Sequence, residues 1–264
     1  MTNFILGRYI PGNSLIHRMD PRSKFLSLFI FVLLIFWANN LATNLLLVAF
    51  VLFSIFLTGV PFSFFIKGLK PMLFFIGFTT LFQLFFIPGN QVVFKWGMIQ
   101  VTDTGLSQAL IIFIRFILII FLSTVLTITT TPLNLADAIE SLLSPLRKIG
   151  FPVHEIGLML SMSLRFVPTL MDDTTRIMNA QRARGVDFDE GNLIQKVKSL
   201  LPILIPLFAS SFKRADALAT AMESRGYQGG DGRSKYRTLK WTKLDTATIL
   251  IFIFLSIATF LLKN

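Results

Sequence analysis

The sequence predicts an all-α, polytopic membrane protein with about five transmembrane helices and a cytoplasmic domain of long amphipathic helices. Three observations carry this. Of 264 residues, 53% are apolar and only 15% charged, against roughly 25% charged in soluble domains. The apolar residues fall in runs suited to a hydrocarbon core about 30 Å thick. The net charge of +11 lies between those runs rather than along the whole chain.

The first run, Phe25–Ala38, and the second, Leu41–Thr58, are separated only by Asn39 and Asn40, which reads as a tight helical hairpin at the far membrane surface. One continuous helix would overshoot the bilayer by several turns. The first run is followed at once by another span and lacks a small-x-small cleavage site, so it reads as a span rather than a signal peptide. A third run covers Pro71–Ile87, with Pro71 suited to a first helical turn. The fourth is Leu106–Thr130 and the fifth Thr246–Leu262. Between the third and fourth, Gln91–Thr102 flanks Trp96-Gly97 with β-branched residues and reads as a short hairpin. Lys95 and Trp96 would suit the membrane interface there.

Charge placement sets the orientation. Arg8, Arg18, Arg22 and Lys24 precede the first span, Lys67 and Lys70 lie between the second and third, and residues 132–244 hold 16 more basic residues. That is 22 of the 25 Lys+Arg. Lys95 and Lys263 fall on the opposite side. Basic loops stay cytoplasmic, so the N-terminus and the 132–244 segment are expected in the cytoplasm of a multi-pass cell-membrane protein. Arg115 stands alone inside the fourth span. An isolated intramembrane charge invites a functional reading, but its place near the outer third favours snorkelling to the interface.

The chain therefore divides into a transmembrane domain, residues 1–131 and 245–264, and a cytoplasmic domain, residues 132–244. Three helical patterns fill the latter. Thr131-Pro132 marks a cap and first turn ahead of the stripe Leu135, Ala138, Ile139, Leu142, Leu143 and Leu146, which Gly150-Phe151-Pro152 ends. The second pattern, 152–183, carries apolar residues at i, i+3, i+4 spacing, with Pro168 expected to kink it. The third, 193–224, passes through Pro202 and Pro206 and turns from greasy to polar. Four methionines on the second pattern (Met159, Met162, Met171 and Met178) read as packing, or else as an adaptable contact surface.

The second and third patterns end alike, in Ala183-Arg184-Gly185 and Ser224-Arg225-Gly226, with the arginines 41 residues apart. One explanation is capping alone: glycine is favoured just past a helix end, and arginine complements the negative end of the dipole. The other is docking. A guanidinium at the tip of a stiff helix offers a planar fork of five donors to carboxylates or carbonyls of a partner, and small neighbours let that partner approach. Spacing does not choose between them.

At these residues the sequence resembles the transmembrane T component of energy-coupling factor (ECF) transporters, the ABC-type importers of vitamins and metal ions. The two short motifs match the family's Ala-Arg-Gly hallmarks, with Ser224 replacing alanine in the second. The stretch Gly12-Asn-Ser14 through His17, Asp20-Pro21-Arg22 and Lys24 also fits, as do Gly105-Leu106 with Arg115, and Leu164-Arg165-Phe166-Val167-Pro168. The resemblance implies a coupling-helix domain in which Arg184 and Arg225, with their flanking Ala183, Gly185, Ser224 and Gly226, dock into two cytoplasmic ATPase subunits. It further implies a membrane substrate-binding S component as the third partner, and no catalysis or cofactor in this chain.

The residues themselves exclude much. There is no cysteine, so no thiolate site or disulfide framework is available. No phosphate-cradling Gly-x-x-x-x-Gly-Lys-[Ser/Thr] occurs, and His17 and His154 lack neighbours at metal-ligand spacing. A secondary transporter or channel is the main alternative, but it would place ionisable or broken-helix features near the midplane. A membrane enzyme would need clustered carboxylates or histidines, and Asp20, Asp137 and Glu140 do not form such a set. Nucleic acid is not an expected partner, because topology accounts for the basic excess.

Overall fold

The computed structural model of the chain describes residues 9–87, 92–96, 99–188, 192–229 and 238–262. In chain order the first helices are α1 (Leu15–Arg18), α2 (Pro21–Trp37), α3 (Leu41–Thr58), α4 (Phe62–Leu69) and α5 (Leu73–Phe86). Strands β1 (Val92–Trp96) and β2 (Ile99–Thr102) follow. The remaining helices are α6 (Asp103–Thr129), α7 (Pro132–Leu143), α8 (Val153–Ala183), α9 (Leu193–Ser224) and α10 (Lys243–Leu262). Two compact units result: Met1–Ala138 with Leu239–Asn264, and Ile139–Thr238. The second is an insert in the first.

The first unit is apolar both in its core and over its surface. Phe31, Ile35, Leu47 and Val51 are fully buried, yet Phe56 is 81% exposed, Phe74 75% and Phe254 71%. An apolar surface of that extent belongs in lipid. Hydroxyls buried among these apolar side chains bond within their own helices: Ser54 donates to the Phe50 carbonyl at 2.9 Å and Thr129 to that of Val125 at 2.8 Å. Because lipid tails are as apolar as leucine, helix association here rests on close packing rather than on expelling water. Aromatic rings supply much of that packing: Phe50 lies 6.0 Å from Phe31 and 5.1 Å from Phe252, joining α2, α3 and α10.

Helices α3, α6 and α10 are each long and apolar enough to cross a membrane; α4 and α5, bent by 64°, make a fourth if they form one broken span. At 17 residues, α2 sits at the lower end of the length a span needs. The protein is thus an all-α polytopic membrane protein, with three or four helices among the described residues that meet the length and composition of a span. The break at Asn39-Asn40 is present, and Asn40 opens α3 with a capping box to Thr43, so the single-helix alternative does not hold. The third run needs correction. Pro71 sits in the turn between α4 and α5 rather than in a first helical turn, and apolar helix extends upstream to Phe62. The break falls at Pro71, which has no amide to donate to the Lys67 carbonyl and whose ring crowds that carbonyl in a continuing helix.

The expected hairpin is formed, with β1 and β2 antiparallel and Lys95 opposite Gln100. Gly97 and Met98, and the interfacial placement of the Lys95 and Trp96 side chains, lie outside what is described, as do Arg8 and Lys263. Arg115 is half-buried. One Nη donates to the Ala38 carbonyl at 3.2 Å, and the guanidinium lies 5.2 Å from the Phe36 ring centre. A cation therefore sits at the negative, C-terminal end of α2.

In the second unit α7 gives way to a 3-10 turn, Ser144–Ile149, and Gly150 reverses the chain at φ +84°. Helices α8 and α9 hold 31 and 32 residues, each about 46 Å long. Their limits agree with the periodicity to within a residue, and both continue through their internal prolines. The Thr131 hydroxyl accepts from the Asn134 amide at 3.3 Å, ahead of Pro132, as the cap pattern predicts. The start of α8 lies close on the end of α7. His154 Nδ1 is 3.5 Å from the Glu140 carboxylate, and a Cβ at Gly157 would collide with that same carboxyl group.

Candidate functional site: two arginine-tipped helices

Helices α8 and α9 pack on each other through polar contacts that the sequence did not reveal. Arg214 Nη2 donates to Asp173 at 2.8 Å, and its guanidinium lies 5.8 Å from the Phe166 ring centre. Gln181 Nε2 donates to the Pro202 carbonyl at 3.4 Å. These pairs run antiparallel, since the later residue on α8 meets the earlier one on α9. No local signal marks them, because the partners are 21 and 41 residues apart. The only hint was the Leu164–Pro168 stretch, whose Phe166 turns out to face Arg214.

Each helix then ends in the same way. At the end of α8, Gly185 takes φ +86°, its amide donating to the Arg182 carbonyl at 3.0 Å and that of Val186 to Gln181 at 3.1 Å. At the end of α9, Gly226 takes φ +71°, its amide donating to Glu223 at 2.9 Å and that of Tyr227 to Met222 at 3.0 Å. Both are Schellman caps, which satisfy carbonyls a helix end otherwise leaves open. A residue with a Cβ is strained at such φ values, so glycine is required twice for one reason.

The caps leave the arginines outward. Ala183, Arg184, Gly185, Ser224, Arg225 and Gly226 are all exposed, and a Cβ added at either glycine would meet nothing within 4 Å. The side chains of Arg184 and Arg225 have no hydrogen-bond or ion-pair partner among the described residues. Arg182, by contrast, lies 5.9 Å from the Phe188 ring centre, and the Ser224 hydroxyl donates back to Ala221 at 3.1 Å. The two tips are not brought together. From Pro202, the α9 residue bonded beside the α8 tip, to Arg225 is about 34 Å of helix.

Such a tip can present a cation and up to five donors to an acceptor, and nothing more. Among the described residues, no group of three or more histidines and carboxylates is placed to hold a metal ion. The chemistry available is recognition.

Comparison with known proteins bears directly on what is recognised. The family model described as "Cobalt transport protein" (CbiQ) matches residues 12–236. The chain is 67% identical over its whole length to the energy-coupling factor transporter transmembrane protein EcfT of Streptococcus equi, covering 98% of that protein. It is 60% identical to EcfT of Streptococcus thermophilus, with both chains fully covered. Identity to EcfT of Bacillus subtilis is 49%, over all of this chain and 99% of the other. Full-length agreement at these levels, on a multi-pass bacterial membrane protein with this helix order, places the chain in one family: it belongs to the EcfT family, the non-catalytic transmembrane T components of energy-coupling factor ABC-type importers.

Proposed function

We propose that this chain couples two cytoplasmic ABC ATPase subunits to a membrane substrate-binding S component for uptake of a vitamin or similar micronutrient, and that Arg184 and Arg225 are its ATPase-docking residues. The observation that carries the reading is the repeated tip: two long helices, the same cap, and on each an exposed arginine whose side chain has no partner among the described residues. Two equivalent tips suit two similar subunits, each receiving one helix end. Ala183, Gly185, Ser224 and Gly226 keep the approach clear.

The charge distribution supports a cytoplasmic N-terminus and a cytoplasmic coupling domain over residues 132–244. With the N-terminus inside, α2 is the first of five spans, the bent α4–α5 pair the third, and the end of α10 lies outside. ATP is hydrolysed by the partners. On closure of the ATPase pair the tips are carried along, and the long helices pass that displacement to the membrane domain and the S component. Purification of the chain in mild detergent from its native membrane tests the assembly. Two ATP-binding subunits per chain are expected. Intact chain recovered without any nucleotide-binding protein, from cells with normal micronutrient uptake, would overturn it.

A further inference from the structure

The N-terminal stretch Ser14–Lys24, which the docking site does not use, is the centre of a buried polar cluster. The Asp245 carboxylate, fully buried, accepts four hydrogen bonds. One oxygen takes the Asp20 amide at 2.8 Å and the Ser23 hydroxyl at 2.5 Å; the other takes the Thr242 amide at 2.7 Å and hydroxyl at 2.6 Å. Those donors belong to the starts of two helices, α2 and α10. One carboxylate thus sits at two positive helix ends, where a negative charge is favoured. One turn along α2, Lys24 is 7% exposed and donates to the Thr129 carbonyl at 3.0 Å and the Thr130 hydroxyl at 3.3 Å. A cation therefore closes the negative end of α6. Arg22 adds a long contact of 3.5 Å to the Leu239 carbonyl. Upstream, the Ile10 amide donates to Ile128 at 3.0 Å.

What these partners share is their place in the chain. Thr129 and Thr130 are the last residues before the chain runs through α7 into the insert, and Leu239, Thr242 and Asp245 are the first after it returns. Both connections are held by the first turn of one helix. With four donors on Asp245 and two acceptors on Lys24, these two buried charges are held rigidly, because loosening either leaves a charge unpaired in low dielectric.

We propose that Lys24 and Asp245 are positioning residues that fasten both connections of the helical insert to the start of α2, so that displacement of the insert is delivered to α2 as a single lever. This rests on the coupling function proposed above. Were the two connections free of each other, the insert would move on two loose tethers and the membrane helices would remain still.

The chain contains no cysteine, so within it introduced cysteines label only chosen sites, and a sample lacking them gives the background from the partner subunits. Phe29→Cys on α2 and Phe53→Cys on α3, both at lipid-exposed positions, carry spin labels in the complex purified with its ATP-binding subunits, and the interlabel distance is read with and without ATP. In the otherwise unchanged complex ATP should shift the distance distribution. In Asp245→Asn and Lys24→Met the shifted population should fall about three- to tenfold while ATP hydrolysis continues. Lys24→Arg, which keeps the cation at the α6 terminus, should restore it. A merely structural role predicts no such separation of hydrolysis from movement. If Asp245→Asn does not accumulate, Thr242→Ala and Ser23→Ala each remove donors but keep the carboxylate, and a partial loss is expected. An unchanged ATP-dependent shift in the variants, or no shift in the parent complex, overturns the proposal. Absence of any ATP-binding subunit in the purified parent instead overturns the coupling function, and this proposal with it.

Discussion

Capping and docking make opposite demands on adjacent residues, so neighbouring substitutions at each helix tip separate them. Replacing Arg184 or Arg225 by alanine removes the donor fork but leaves the cap intact, since its bonds are all backbone. The folded chain then loses only the interaction of an exposed cation with the helix end, about 0.3–1 kcal/mol and less in salt. Docking loses far more. Charge-assisted hydrogen bonds contribute about 1.5–3 kcal/mol each, so each substitution should weaken ATPase binding by roughly ten- to a hundredfold. Gly185→Ala and Gly226→Ala act the other way. At φ +86° and +71° an alanine costs about 1–2 kcal/mol of backbone strain, with no collision to add because nothing lies within 4 Å. These variants should melt earlier yet keep their arginines for the partner. The assay is binding of detergent-solubilised chain to immobilised ATPase subunits, alongside thermal melts of the same preparations. Undiminished binding by the double variant Arg184→Ala/Arg225→Ala would refute docking and leave capping as the whole explanation of the repeated ending.

Three further outcomes are expected. A double-mutant cycle on Asp173→Asn and Arg214→Met, read by thermal unfolding, should give a coupling of about 0.5–1.5 kcal/mol: the 2.8 Å contact is short, but side chains 19% and 31% exposed are partly screened. Gly157→Ala should destabilise the α7–α8 turn by about 1–3 kcal/mol, because the new methyl displaces the Glu140 carboxyl group from His154; protease cleavage near Phe151 should accelerate. Gly12→Ala would bring a Cβ to 2.9 Å from the His17 ring, which is held between the Ser14 hydroxyl at 2.7 Å and the Ile10 carbonyl at 3.0 Å. Hydrogen exchange at Ile10, bonded to Ile128, should rise while α8 and α9 stay unchanged.

Helices α8 and α9 were legible almost to the residue, because an i, i+3, i+4 stripe ending in glycine reports both the face and the stop. The tips were legible as a repeat but not as a function, since arginine before glycine serves a cap equally well. The third span was misread for a physical reason. Apolar residues fill both sides of Lys70-Pro71-Met72, so hydropathy runs smoothly through a 64° bend. Nor could any local pattern expose the polar cluster: Asp245 is bonded to residues 222 and 225 positions away. In sequence Lys24 counts only as one more cytoplasmic-side charge, and Asp245 falls at the edge between two domains. Burial pairs charges that linear reading treats as solvated.

A chain segment whose two ends are pinned a few ångströms from one helix start is, topologically, a closed loop hung on one peg. Its contents can change in length, composition or grip without disturbing the membrane helices, provided the peg survives. Grafting the 132–238 segment of one relative onto the membrane helices of another should therefore give a folded hybrid. The graft would carry its donor's choice of motor, while the host keeps its own neighbours in the bilayer.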